Sequence, residues 1–72
     1  MSPRRGYGLL VRVWGRNEAE VVKSRLAAEG VPAILKGEAL GDLYGITVDG
    51  LGAIEIWVPV FRLDEARTIL GL

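Results

Sequence analysis

The chain has 72 residues, half of them apolar, and its nine basic and nine acidic residues cancel to a formal net charge of zero. This length suits one domain with a small core, and the charge balance argues against a surface for nucleic acid or membranes, which would show a clustered positive excess. Histidine and cysteine are absent, which removes the commonest general base and metal ligand and all thiol chemistry. We therefore expect no enzymatic activity, no cofactor and no metal site.

The first residues predict a flexible arm. Arg4 and Arg5 precede an apolar run, as they would in a twin-arginine signal, but Arg12 interrupts that run and no small-residue cleavage site follows. The run is also too short to span a bilayer. We expect an arm over residues 1–6, one domain over residues 1–72 and a cytoplasmic protein.

The next segment predicts a strand followed by a helix. Alternation over Leu9–Trp14 predicts the strand, which Gly15 ends. Asn17 and Glu20 have the spacing of a capping box, which predicts the beginning of the helix. Gly30 predicts its end, with Val31 placed to contact Leu26, the usual hydrophobic partner in a glycine cap.

The remaining elements complete the predicted topology. We expect strands over Val31–Lys36 and Ala53–Pro59 and a final helix over Phe61–Leu70. The order β-α-β-β-α allows the third strand to lie antiparallel between the first two. This predicts an α+β, ferredoxin-like plait that lacks its fourth strand, with both helices on one face of a three-stranded, mainly antiparallel sheet.

The sheet face away from the helices is the predicted interaction surface. Alternation assigns to the helix-covered face three residues of the first strand and three of the third: Leu9, Val11, Val13, Ile54, Ile56 and Val58. It places on the opposite face Leu10, Arg12, Trp14, Glu55 and Trp57. Two exposed tryptophans form a costly apolar patch, so we expect a homo-oligomer, most simply a dimer, packed face to face or along the edge of the first strand. The alternative is that the arm, with Tyr7, folds over this face.

A glycine-rich loop is predicted over residues 37–52. Five of its sixteen residues are glycine, and their spacing fits neither a dinucleotide fingerprint nor a P-loop. The acidic residues fit no EF-hand pattern. Loops this long are typically functional or disordered. The predicted effector or partner contact comprises Gly37, Glu38, Gly41, Asp42, Tyr44 and Gly45.

The sequence resembles a known family of small domains. The resemblance rests on Leu26–Ala33, Gly37–Gly41, Trp57–Pro59 and Glu65–Leu70, and it covers nearly the whole chain from Tyr7. The family is described as putative prokaryotic signal-transducing proteins. The resemblance implies a PII-like variant of the ferredoxin fold and a bacterial cytosolic setting, and it carries over no catalytic residue. By position alone, Tyr44 is similar to a modifiable tyrosine in the effector loop of some PII-type proteins.

Two functions are consistent with these observations. The first is a small non-catalytic regulatory or protein-interaction module that works as a homo-oligomer, with the 37–52 loop contacting a protein partner or small effector. The alternative is a sensor that binds a small ligand, a metabolite or nucleotide, at a cleft between subunits.

Overall fold

The computed structural model describes residues 5–37 and 53–72. Within them the three strands form one antiparallel sheet in the order β1-β3-β2, so that β3 lies between the other two. This arrangement, with its two helices, confirms the predicted α+β, ferredoxin-like plait. The elements are β1 (Tyr7–Trp14), α1 (Arg16–Ala28), β2 (Ile34–Gly37), β3 (Ala53–Pro59) and α2 (Leu63–Leu70).

The core lies between the two helices and one face of the sheet. Ile54, Ile56 and Val58 alternate along β3 and have no exposed area, and Leu26 and Ala66 of the helices are equally buried. Each fully buried aliphatic side chain of this size stabilises the fold by roughly 1.5–3 kcal/mol. The face of β3 predicted to lie under the helices is therefore the core face.

Helix α1 ends as the sequence predicts. Gly30 has a φ of 81° and donates its backbone N–H to the carbonyl of Ala27, while Val31 donates to the carbonyl of Leu26. These two bonds form a Schellman motif, and the side chains of Leu26 and Val31 are both fully buried beside it. Val31 therefore belongs to the helix cap, and β2 begins at Ile34, three residues later than predicted.

The beginning of α1 differs from the prediction. The helix starts at Arg16, its N-cap is Gly15, and the carbonyl of Gly15 accepts the first helical hydrogen bond from Ala19. Asn17 is already inside the first turn, and the cap carries no side-chain hydrogen bond. The positive φ of Gly15 (99°) turns the chain from β1 directly into the helix, so the predicted capping box with Glu20 is wrong.

Two arginines tie the helices together at their ends. Arg25 of α1 donates to the carbonyl of Ile69 in α2. Arg62 stands in a short 3₁₀ turn, Val60–Arg62, that precedes α2. It donates to the carbonyl of Gly30 and makes a bidentate ion pair with Glu65. The predicted last helix thus begins at Leu63, two residues late, because the turn comes first.

The segment just before β1 is hydrogen-bonded to the 3₁₀ turn Val60–Arg62. Strand β1 begins at Tyr7, two residues earlier than predicted. Gly6, which the sequence assigns to the N-terminal arm, accepts a hydrogen bond from the backbone N–H of Val60. None of the helices in the described ranges is both long and apolar enough to cross a membrane.

Candidate interaction surface

The face of the sheet away from the helices, called the outer face here, is built from four cross-strand rows. Tyr7 stands opposite Pro59, an apolar row joins Leu9, Trp57 and Ile34, a charged row joins Arg12, Glu55 and Lys36, and Trp14 stands opposite Ala53. Four of the five predicted surface residues lie on this face: Arg12, Trp14, Glu55 and Trp57. The sequence did not predict Ile34 and Lys36 as outer-face residues. The face on which they lie depends on the β2–β3 register, which strand alternation alone does not give.

A β-bulge in β1 places the fifth predicted residue elsewhere. Leu9 pairs with Trp57 and Val11 pairs with Ile56, so Leu10 is an extra residue between them. Leu10 is buried and joins the core cluster, while Leu9 is 38% exposed. An inserted residue reverses the alternation of everything on one side of it. The assignments of Leu10 to the outer face and of Leu9 to the core are therefore wrong.

The charged row is held by two hydrogen bonds to one carboxylate. The Arg12 guanidinium donates to Oε2 of Glu55 over 3.1 Å, and the Trp57 indole Nε1 donates to Oε1 over 3.0 Å. The indole bond first, and then Arg12, lower the pKa of Glu55 below its ordinary value. Arg12 and Glu55 thus form an ion pair within one subunit, and Glu55 keeps its charge on the surface.

The two tryptophans stand in different environments. Trp57 is half-buried and its indole N–H is satisfied by Glu55, whereas Trp14 is 66% exposed. Trp14 pairs with Ala53, which lies four residues from Trp57 along β3, about 13 Å at ~3.3 Å per residue. The charged row lies between them, so the predicted single apolar patch is wrong. The outer face is apolar at its two ends and charged across its middle.

Strand β1 is also the longer of the two edge strands. It has eight residues against four in β2, and within the described ranges its paired neighbour is β3 alone. Val11 faces the core yet is only half-buried, whereas its partner Ile56 has no exposed area. An edge strand leaves one row of backbone N–H and C=O groups available to another chain. Exposed apolar side chains therefore coincide on β1 with an edge to which no other strand of the described ranges is paired.

The predicted effector loop begins inside the sheet. Gly37 is the last residue of β2 and pairs with Ile54, so its assignment to the loop is wrong. A Cβ at Gly37 would collide with the carbonyl oxygen of Ala53 and lie 2.9 Å from Cα of Ile54. The strands can thus approach this closely only with glycine at that position. The other predicted loop residues lie outside the described residues: Glu38, Gly41, Asp42, Tyr44 and Gly45.

One of three comparisons with known proteins identifies a family for this chain. A family model described as "Putative prokaryotic signal transducing protein" matches residues 9–71, which span β1 from Leu9 to the end of α2. The comparisons with curated proteins and with solved structures gave no match. Within the described residues, the matched range covers both helices, β2, β3 and β1 from Leu9 onward. The chain therefore belongs to this family of prokaryotic proteins with a signal-transducing description.

Proposed function

We propose that this chain is a small non-catalytic regulatory module that works by assembling with itself. The observation that carries the proposal is Trp14, a large apolar side chain that is 66% exposed at the end of an edge strand. Burying about 100 Å² of indole would stabilise an assembly by roughly 2.5 kcal/mol for each copy. A core this small also gains stability from association.

The family description supports a regulatory role, and the composition supports a non-catalytic one. The family is described as signal transducing, which fits a domain that presents a surface for binding. The chain has no histidine and no cysteine, so the usual general base and the strongest nucleophile are lacking. The partner or effector contact assigned to residues 37–52, and the cytoplasmic location, stay predictions from sequence.

Sedimentation equilibrium tests the self-assembly. We expect the wild type to form a dimer and Trp14→Glu to weaken the association at least about 100-fold, since the burial lost in two copies, roughly 5 kcal/mol, exceeds the roughly 2.8 kcal/mol that a 100-fold change requires. Phe61→Glu is the matched control, because Phe61 is 83% exposed but lies in the 3₁₀ turn before α2. A wild type that stays monomeric at high concentration, or a Phe61 variant that dissociates as readily, would overturn the proposal.

The sensor alternative predicts a different result. A ligand that binds the folded chain raises its melting temperature by mass action, by an amount that grows with ligand concentration. We expect a panel of metabolites and nucleotides to leave the melting temperature of the dimer unchanged. A concentration-dependent increase with one of them would favour the sensor over the interaction module.

A further inference from the structure

We propose that two copies join through antiparallel pairing of their β1 strands in one register, with a two-fold axis between Leu10 and Val11. In this register Tyr7 of each copy lies opposite Trp14 of the other, and the two sheets become one six-stranded sheet. The inference rests on the proposed self-assembly and goes further, since it names the edge and the residue pairs. It follows from the order in which β1 residues face the two sides of the sheet.

The contacts and pairing of each β1 residue show on which face of the sheet its side chain lies. Four residues face the helices: a Cβ at Gly8 would contact Val60 and Leu63, Leu10 and Val13 are buried in the core, and Val11 packs against it. The side chains of the other four residues lie on the outer face. Their pairing with β3, their exposure and the alternation along the strand support this assignment for Tyr7, Leu9, Arg12 and Trp14. The bulge makes Leu10 and Val11 consecutive residues on the same face.

This facing order is the same in both directions along the strand. Read from Tyr7 to Trp14 it runs outer, core, outer, core, core, outer, core, outer, and read backwards it is identical. Two antiparallel copies centred on the bulge therefore match outer with outer and core with core over the whole strand. Opposite residues in that register are Tyr7 and Trp14, Gly8 and Val13, Leu9 and Arg12, and Leu10 and Val11, each pair occurring twice.

Competing registers fit less of the strand. A two-fold axis through Arg12 matches faces only over residues 11–13 and puts two guanidinium groups directly opposite each other, which destabilises a strand pair. A two-fold axis through Leu9 matches only residues 8–10. The bulge-centred register instead sets the single charge of β1 opposite Leu9 of the other copy. Arg12 then keeps its bond to Glu55.

Edge pairing also avoids the cost of burying the charged row. In a face-to-face dimer the middle of the outer face would carry Arg12, Glu55 and Lys36 into the interface, and desolvating charges can cost more than their pairing returns. Edge pairing leaves that row in water. It also covers the half-buried Val11 with Leu10 of the second copy and stacks an aromatic pair at each end of the strand.

Cysteine cross-linking tests the register, because the chain has no cysteine of its own. We would mix Leu9→Cys with Arg12→Cys under mild oxidation and count disulfide-linked dimers on a non-reducing gel. Directly opposite residues have Cα atoms about 4.5–5.5 Å apart, which suits a disulfide. Each variant alone should not cross-link, since residue 9 of one copy lies three residues, about 10 Å, from residue 9 of the other along the strand.

Two further samples make the experiment decisive. Tyr7→Cys mixed with Trp14→Cys probes the strand ends without removing Arg12, and each mixed dimer keeps one of its two Trp14 indoles. Phe61→Cys, exposed but away from the sheet, measures collisional cross-linking. We expect both mixtures to give several-fold more linked dimer than any single variant. Cross-linking of Arg12→Cys alone or Leu9→Cys alone would overturn this register in favour of another. A wild-type dimer in which neither mixture cross-links would overturn β1 pairing and leave self-assembly standing, whereas a monomeric wild type would overturn the proposed function itself.

Discussion

The close approach of β2 to β3 makes Gly37 the most sensitive glycine in the described sheet. Gly37→Ala adds a Cβ that would collide with the Ala53 carbonyl and lie 2.9 Å from Cα of Ile54. Because the obstructing atoms are backbone atoms of the central strand, no side-chain rotation relieves the clash. Overpacking costs about 1–3 kcal/mol, and we expect the upper end of that range. For a domain of this size it corresponds to a fall in Tm of about 10–20 °C.

Urea denaturation followed by tryptophan fluorescence measures this cost. The control is Gly30→Ala, where a Cβ would meet open space and the penalty comes only from the positive φ of 81°. Such backbone strain costs about 1–2 kcal/mol. We expect the Gly37 variant to be the less stable of the two. If it unfolds at the same urea concentration as the wild type, then Gly37 is not confined by β3 and the sheet register is wrong there.

Two other predictions test the bulge and the charged row. Leu10→Ala should lower the unfolding free energy by about 2–5 kcal/mol, as for other buried leucines, and Leu9→Ala by less than about 1 kcal/mol; equal losses in urea titrations would argue against the bulge. Because the pKa of Glu55 is lowered in the folded state, its charged form stabilises the fold above the unfolded value of about 4.3 and loses that contribution as the pH falls through the folded value. The wild type should therefore lose more stability than Glu55→Gln between about pH 5 and pH 3, and parallel curves would show that the carboxylate is not held by its neighbours.

Much of the fold follows from local signals in the sequence. Gly30 and Val31 predict the end of α1 correctly, because the left-handed cap needs glycine and places Val31 beside Leu26. Alternation along the central strand gives its bounds, Ala53–Pro59, and its buried face without error. These signals succeed because they depend on a few neighbouring residues whose conformations are set by steric limits or by burial on one face.

The errors come from features that depend on distant parts of the chain. The bulge at Leu10 is set by pairing with β3, and a strand read alone as strictly alternating cannot reveal it. The same holds for Gly37, which looks like a loop residue until its pairing with Ile54 is known. Alternation correctly places Trp14 and Trp57 on the outer face, but only the register of the three strands shows that a charged row lies between them.

Pairing of two copies through β1 about the bulge brings protons of different chains together, and an isotope-filtered NOE spectrum detects that contact. A dimer assembled from equal amounts of isotopically labelled and unlabelled chain gives signals only between protons of different copies. We predict such signals between the ring of Tyr7 and the indole of Trp14. Intermolecular signals between the two Trp57 indoles, with none between Tyr7 and Trp14, would instead show face-to-face packing and rule out pairing through β1.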